Sequence, residues 1–177
     1  MAGRISCPSA RDASGDLRVE LYTEAGNGSL QERAWEFILA HPAVIEAALR
    51  RKLLAWHGKH MASFLAEDLP GAPPEYQKYW TVVEKRVALG EPAAVDHLFK
   101  LVAVGLADSG LDDCGFSSFE FQTGWDRDHG LGILMHKELV LAAGGMGEMI
   151  CGGSVLAGAR AVQAYDLDDG DFVLPAS

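Results

Sequence analysis

The sequence predicts an α+β fold, in which an antiparallel β-sheet in the C-terminal half packs against an N-terminal helical pair and is joined by one early strand. An alternating segment near the start, helical periodicity over residues 29–66 and renewed alternation from Leu101 onward predict this arrangement. The length of 177 residues suits one hydrophobic core. We therefore predict a single domain over residues 1–177, with a helical part at about 29–100 and a β part at about 101–177.

The early strand is predicted over residues 16–23. Leu17, Val19 and Leu21 alternate there with polar neighbours, which is the period of a half-buried strand. The preceding residues, 1–15, are small and polar and lack the apolar run of a secretory signal. We expect that segment to be disordered.

Two linked helices are predicted from residue 29 to about residue 66. Ser29 and Glu32 have the spacing of a capping box, and Pro42 fits the first position of the second helix. The following segment, residues 75–89, can form either a short helix or an irregular connection packed by its aromatic side chains.

Two strands are predicted after Leu101. The segment 101–108 reads as a strand, 108–115 as a turn, and 116–125 as a second strand. The alternation places one set of side chains of the second strand on each face of the sheet: Phe119, Phe121 and Thr123 on one side, and Ser118, Glu120 and Gln122 on the other.

Residues 132–143 read as two short strands or as one longer one, because Lys137 and Glu138 lack the Gly or Asn of a usual tight turn. Ile133 and Met135 are expected to face away from Leu134 and His136. A glycine-rich segment at 144–158 lacks the lysine and spacing of a phosphate-binding loop, and Asp169-Gly170 predicts a final hairpin.

The composition limits the classes of function. A formal net charge of −10 disfavours binding to nucleic acid, which requires clustered Lys and Arg. Solubility alone is the favoured explanation of this charge, and electrostatic steering toward a basic protein is the alternative. The charged helices predict no membrane span, so we expect a cytoplasmic protein. Cys7, Cys114 and Cys151 have no CxxC spacing, which favours small buried apolar residues over a disulfide framework or zinc site.

Several groups carry candidate chemistry. His57 and His60 lie three residues apart, but a solvated polar face is favoured over a metal site. Two DxD segments, at Asp126 and at Asp166, resemble calcium loops but lack the glutamate at the twelfth position. We therefore predict no metal site.

The segment from Trp125 to Gly132 allows two interpretations. Asp126, Asp128 and His129 can form a carboxylate–histidine pair for acid–base work, or the aspartates can bond their own backbone in a turn. Ser117 and Ser118 lack the context of a nucleophile. The turn is favoured, so we predict no catalytic residue and no cofactor, with a set of structural turn residues: Trp125, His129, Gly130 and Gly132.

The stretch FEFQTGWDRDHGLGILMHKELVLAAGG, together with the early strand and the helical pair, resembles a bacterial domain family of unknown function that carries a WDxxHGLG motif. The motif falls here on Trp125, Asp126 and His129 to Gly132, with Asp128 where the family usually has glutamate, and the following strand bears His136. The likeness covers about residues 17–145. Such proteins resemble immunity proteins of polymorphic toxin systems.

The resemblance implies a non-enzymatic protein that binds a cognate toxin domain with a basic active-site cleft and occludes that site. We predict that acidic loop residues form the partner-binding surface: Asp112, Asp113, Asp126, Asp128, Asp166, Asp168, Asp169 and Asp171. The alternatives are a small metal-dependent enzyme that uses Asp126, His129 and His136, and a further kind of interaction module.

Overall fold

The computed structural model describes residues 18–23, 26–91, 94, 96, 98–123 and 130–145. In chain order these form β1 (Arg18–Tyr22), α1 (Gly28–Ala40), α2 (Pro42–Ser63), α3 (Pro74–Ala88), β2 (Phe99–Leu111), β3 (Cys114–Thr123), β4 (Leu131–His136) and β5 (Leu139–Gly144). A π-helical turn at Phe64–Asp68 and a 3-10 turn at Leu69–Gly71 connect α2 to α3. The predicted α+β class is confirmed. The expected disorder of 1–15 and the Asp169-Gly170 hairpin lie outside the described residues.

Local sequence signals were predicted to set the start of α1 and the break between α1 and α2. Pro42 occupies the first turn of α2, as predicted, because its fixed φ and missing N–H suit that position. The predicted capping box is wrong, since α1 begins at Gly28 and no side chain caps it. Ser29 lies inside the first turn, and its hydroxyl donates to Asn27 Oδ1 at 2.7 Å instead of accepting from an amide.

The segment 75–89, for which a helix and an irregular connection were both possible, forms a regular helix, α3. Pro74 stands in its first turn with Glu75, and Lys85 and Arg86 lie in its last turn, where their charges complement the helix dipole. Trp80 is buried and contacts the ring of Phe64 edge to face, which ties α3 to the π-helical turn. Throughout the described residues, no helix has both the length and the apolar character needed to cross a bilayer.

Among the described residues the sheet has five strands, in the order β1-β2-β3-β4-β5. Neighbours from β2 to β5 pair antiparallel, whereas β1 pairs parallel with β2. A parallel pair cannot be closed by a tight turn, and here the helices lie in the connection between the two strands. The sheet is therefore mixed, although most of its pairings are antiparallel as predicted.

Residues 132–143 resolve into the two-strand alternative. Lys137 and Glu138 form the turn between β4 and β5, and Lys137 has a φ of 54°, which a residue other than glycine seldom adopts. His136 pairs with Leu139 and Met135 with Val140, and the register then shifts by one residue, since Leu134 pairs with Ala142.

The core lies between the helices and one face of the sheet. It contains residues from both parts of the chain: Ala34, Ile38, Ile45, Leu49, Leu53, Val104, Leu106, Phe119, Phe121, Ile133 and Met135. Gln31 of α1 fixes the helix to the sheet, since its Nε2 donates to the carbonyl oxygens of Tyr22 and Leu106 at 3.0 and 3.1 Å. We call this side of the sheet the helix face.

The opposite side of the sheet is also buried at its centre. Ala103, Ser118 and Leu134 are at most 2% exposed. The expected alternation of Ile133 and Met135 against their neighbours is present, but both faces of β4 are inaccessible to solvent. We call this side the second face.

Strand β1 departs from the predicted half-buried pattern. Val19 is 40% exposed and Leu21 is 64% exposed, although both pair with buried residues of β2 and so lie on the helix face. Because β1 is at the edge of the sheet, the helices do not cover its apolar side chains. The alternation identified the strand correctly and misjudged its burial.

Candidate functional site

The predicted acidic surface is described at one place, the hairpin between β2 and β3. Asp112 and Asp113 form its two-residue turn and are exposed. The other members of the predicted partner-binding set lie outside the described residues: Asp126, Asp128, Asp166, Asp168, Asp169 and Asp171.

The geometry of this hairpin holds its carboxylates outward. Asp112 and Asp113 have φ angles of 45° and 61°, the left-handed backbone of a turn that matches the twist of the flanking strands. The Asp113 side chain is 87% exposed and lies 3.5 Å from Arg33 of α1. An exposed pair of this kind contributes little to stability, so the carboxylate remains available to a partner.

The predicted turn residues are only partly described. Gly130 has a φ of +59° and immediately precedes β4, so the chain does use a glycine in left-handed backbone where the turn was predicted. Gly132 is not in a turn, because it pairs with Glu120 of β3 and Gly144 of β5 within the sheet. Trp125 and His129 lie outside the described residues.

His136 has a structural setting. It is 4% exposed, its Nε2 lies 2.8 Å from the carbonyl oxygen of Leu111, and its ring meets Phe116 edge to face. The carbonyl can only accept, so Nε2 carries a proton and donates to it. This bond fastens β4 to the end of β2. The other two residues of the alternative enzyme site, Asp126 and His129, lie outside the described residues.

The two histidines of α2 do not form a common site. His57 is 2% exposed, and its Nε2 lies 2.7 Å from Glu84 Oε1 of α3. His60 is exposed and stacks on Trp56 with ring centroids 4.0 Å apart. The solvated face predicted for both is correct only for His60. Within the part of the chain that the structure describes, no cluster of three His, Cys, Asp or Glu side chains is arranged to hold a metal ion.

A polar cluster on the second face was not predicted from the sequence. Arg18 pairs with Ala103 of β2, which in turn pairs with Glu120 of β3, so the parallel register brings these side chains onto one row. Arg18 Nη2 lies 3.7 Å from Glu120 Oε2, and Arg18 Nε lies 2.8 Å from Glu20 Oε1. Tyr22 donates its hydroxyl to Glu20 Oε2. The four residues form what we call the β1 polar cluster.

The electrostatics of this cluster centre on Glu120, whose side chain is only 9% exposed. Burial raises the pKa of the Glu120 carboxyl above its usual value, and the neighbouring Glu20 carboxylate raises it further. Arg18 and a hydrogen bond with Tyr22 act in the opposite direction. The Glu120 carboxyl therefore keeps its proton to a higher pH than an exposed glutamate does.

Small residues surround the β1 polar cluster. Glycine or alanine stands beside it on β2 and β4, at Ala103, Gly105 and Gly132. Ser118, two residues from Glu120 on the same face, has a buried Oγ with no hydrogen-bond partner among the described residues. The alternation placed Ser118 and Glu120 together, but nothing in the sequence shows that β1 lies beside them.

Cys114 fits the role expected of it. It is a free, buried residue at the start of β3. Burial raises the pKa of its thiol, and a protonated thiol is a poor nucleophile. Cys7 and Cys151 lie outside the described residues.

The outer side of α3 carries exposed aromatic and aliphatic side chains. Tyr76, Tyr79 and Val82 are 38%, 50% and 52% exposed. The two tyrosines line a shallow groove of about 430 Å³ with Glu75 and with two residues before the helix, Ala72 and Pro73. Tyrosine is enriched among the residues that anchor protein interfaces. We call this surface the α3 tyrosine face.

Comparisons with protein-family models, curated proteins and solved structures found no match to this chain.

Proposed function

We propose that this chain is an immunity protein that binds a cognate bacterial toxin domain in the cytoplasm and occludes its active site. The observation that carries the proposal is the β2–β3 hairpin, in which Asp112 and Asp113 are presented by a left-handed turn at the end of a long strand pair. A charge held outward by a defined backbone loses little entropy when it meets a basic cleft. The resemblance described above supports the choice of a toxin as the partner.

In this proposal the net charge affects the rate of association, and packed side chains supply most of the binding energy. The net charge of −10 speeds encounter with a basic partner, because long-range attraction acts before contact. Most of the binding energy comes from a few well-packed aromatic or Arg side chains. The α3 tyrosine face offers such side chains through Tyr76 and Tyr79.

The decisive test is coexpression with a toxin domain encoded beside this chain. The proposal expects rescue of growth, and it expects the purified pair to form a complex that weakens as the salt concentration rises. Failure to rescue growth together with the absence of a complex would overturn it.

A charge-matched pair of variants tests the role of the hairpin. Asp112→Asn combined with Asp113→Asn should slow association with the toxin and reduce its salt dependence. Glu67→Gln combined with Asp68→Asn removes the same amount of charge at other exposed positions, just after α2, and should change association less. Equal effects of the two pairs would show that only net charge matters and would remove the hairpin from the interface.

A further inference from the structure

The outer edge of β1 is an open strand edge within the described part of the chain. β1 is the first strand of the sheet, and its other neighbour is β2. Val19 and Leu21 are 40% and 64% exposed, so the apolar side of this edge reaches solvent. Backbone donors and acceptors on such an edge can pair with a further strand.

The first three residues of β1, Arg18 to Glu20, complement themselves when the strand is reversed. If a second copy lies antiparallel with a two-fold axis at Val19, Arg18 of each copy stands opposite Glu20 of the other, and Val19 stands opposite its own counterpart. We propose that two copies of this chain associate through their β1 edges in this register, which joins the two five-stranded sheets into one. The proposal is independent of toxin binding.

The charges argue for a second copy. Charged side chains commonly protect strand edges from association, and like charges directly opposite each other repel. Here the opposed signs of Arg18 and Glu20 attract across the axis. Arg18 and Glu20 are 60% and 32% exposed and already form an ion pair within the strand at 2.8 Å. Replacing the contact between Arg18 and Glu20 of one chain by the same contact between two chains costs little free energy, because the pair lies near solvent.

The interface is small, which determines how it should behave. In this register only Arg18, Val19 and Glu20 of each described strand stand opposite one another, so the pairing buries less surface than the roughly 1,200 Å² typical of stable complexes. We therefore expect a reversible dimer whose population rises with protein concentration. Analytical ultracentrifugation over a wide concentration range should show a shift from monomer to dimer, and a monomer at every concentration would overturn the proposal.

Cross-linking tests the register. In a full-length background with Cys7→Ser and Cys151→Ser, Val19→Cys should form a dimer with a short thiol-specific cross-linker, because the two introduced thiols face each other at the axis. Leu21→Cys is the matched control on the same face. The two thiols introduced at position 21 would lie roughly 13 Å apart along the strands, beyond the reach of the linker. Equal cross-linking at both positions, or none at Val19→Cys, would contradict this register.

Charge reversal tests the attraction. Arg18→Glu and Glu20→Arg should each weaken the dimer by roughly tenfold or more, since each change places like charges together at two symmetry-related contacts. The double variant restores opposite charges at both contacts and should recover most of the association. Circular dichroism would confirm that each variant is folded. A double variant as weak as the single variants, in folded protein, would overturn the proposal.

Discussion

The two faces of the sheet are buried to a similar extent and are built differently. The helix face contains large apolar side chains, among them Phe119 and Ile133, each 0% exposed. The second face combines small residues such as Ala103 with Phe116 and with polar groups, Glu120 and His136. Burial alone therefore does not distinguish an apolar face from one that contains ionisable groups. The difference lies in which buried groups are polar and what their partners are.

The largest expected effects compare one phenylalanine from each face. Phe119→Ala on the helix face should lower the free energy of unfolding by about 3–5 kcal/mol, through lost burial and the cavity left behind. Phe116→Ala on the second face should cost a similar amount, because Phe116 is 1% exposed and contacts His136. Urea denaturation measures both. A much smaller cost for Phe116→Ala would show that the second face is loosely packed.

The next effect tests how closely β2 and α1 approach Gly115 of β3. A Cβ atom at Gly115 would lie 2.4 Å from the Ala107 carbonyl oxygen and 2.8 Å from that of Leu30, which is too close for any side chain. Gly115→Ala should therefore destabilise the protein by about 1–3 kcal/mol in the same urea experiment.

Gly58→Ala is the matched control for this change. Gly58 lies within α2, and a Cβ there meets nothing within 4 Å. The substitution should stabilise the protein by about 0.5–1 kcal/mol, since alanine loses less backbone entropy in a helix. Destabilisation at both glycines would mean that the close contact is not the cause at Gly115.

A smaller effect, which depends on pH, concerns the second face. Because burial raises the pKa of Glu120 in the folded protein, the folded state binds this proton more tightly than the unfolded state does. The contribution to stability is full below the unfolded pKa and falls as the pH rises through the folded pKa. Glu120→Gln removes this titration. Urea midpoints measured across that range should fall less steeply with pH for the variant, and parallel curves would contradict a raised pKa.

The smallest effect is expected at the β2–β3 hairpin. Asp112→Asn with Asp113→Gly places Asn-Gly at two positions of positive φ, which this pair tolerates best. Thermal unfolding should show a gain of up to roughly 1 kcal/mol, because the relief of left-handed backbone strain at position 113 exceeds the entropy that glycine adds to the unfolded chain. The same variant should bind a toxin more slowly if the proposed function is correct. A loss of stability would indicate that the aspartates make contacts which the backbone geometry does not require.

Much of the fold follows from local patterns that the sequence displays directly. Alternation at Phe119 and Phe121 predicted β3 and its faces, and Pro42 predicted the break between α1 and α2, because these signals need only the period of a strand or the geometry of proline. The capping box at Ser29 failed because helix entry depends on how the chain leaves β1. Gln31 and Asp108 hold that connection, since Gly26 N–H donates to Asp108 Oδ2 at 2.6 Å and Gln31 bonds the Tyr22 carbonyl.

The candidate sites also differ in whether a local sequence pattern predicts them. The place of the exposed turn at Asp112 and Asp113 was predictable, because turn residues and charge are properties of a short segment. Its predicted bounds, 108–115, were too wide, since β2 continues to Leu111 and β3 begins at Cys114. The β1 polar cluster was not, since Arg18 and Glu120 are far apart in sequence and meet only through the parallel pairing of β1 with β2.

The sequence by itself determined the helical pair, the strands β1 to β3 and which side chains share a face, and it left open whether α3 is a helix and whether residues 132–143 form one strand or two. The tertiary structure decided their neighbours, since burial and electrostatics depend on distances that the pattern along one chain does not contain. It left Val19 and Leu21 exposed at an edge, and it buried Glu120 beside Arg18. The β1 polar cluster and the open edge of β1 are therefore products of the tertiary structure.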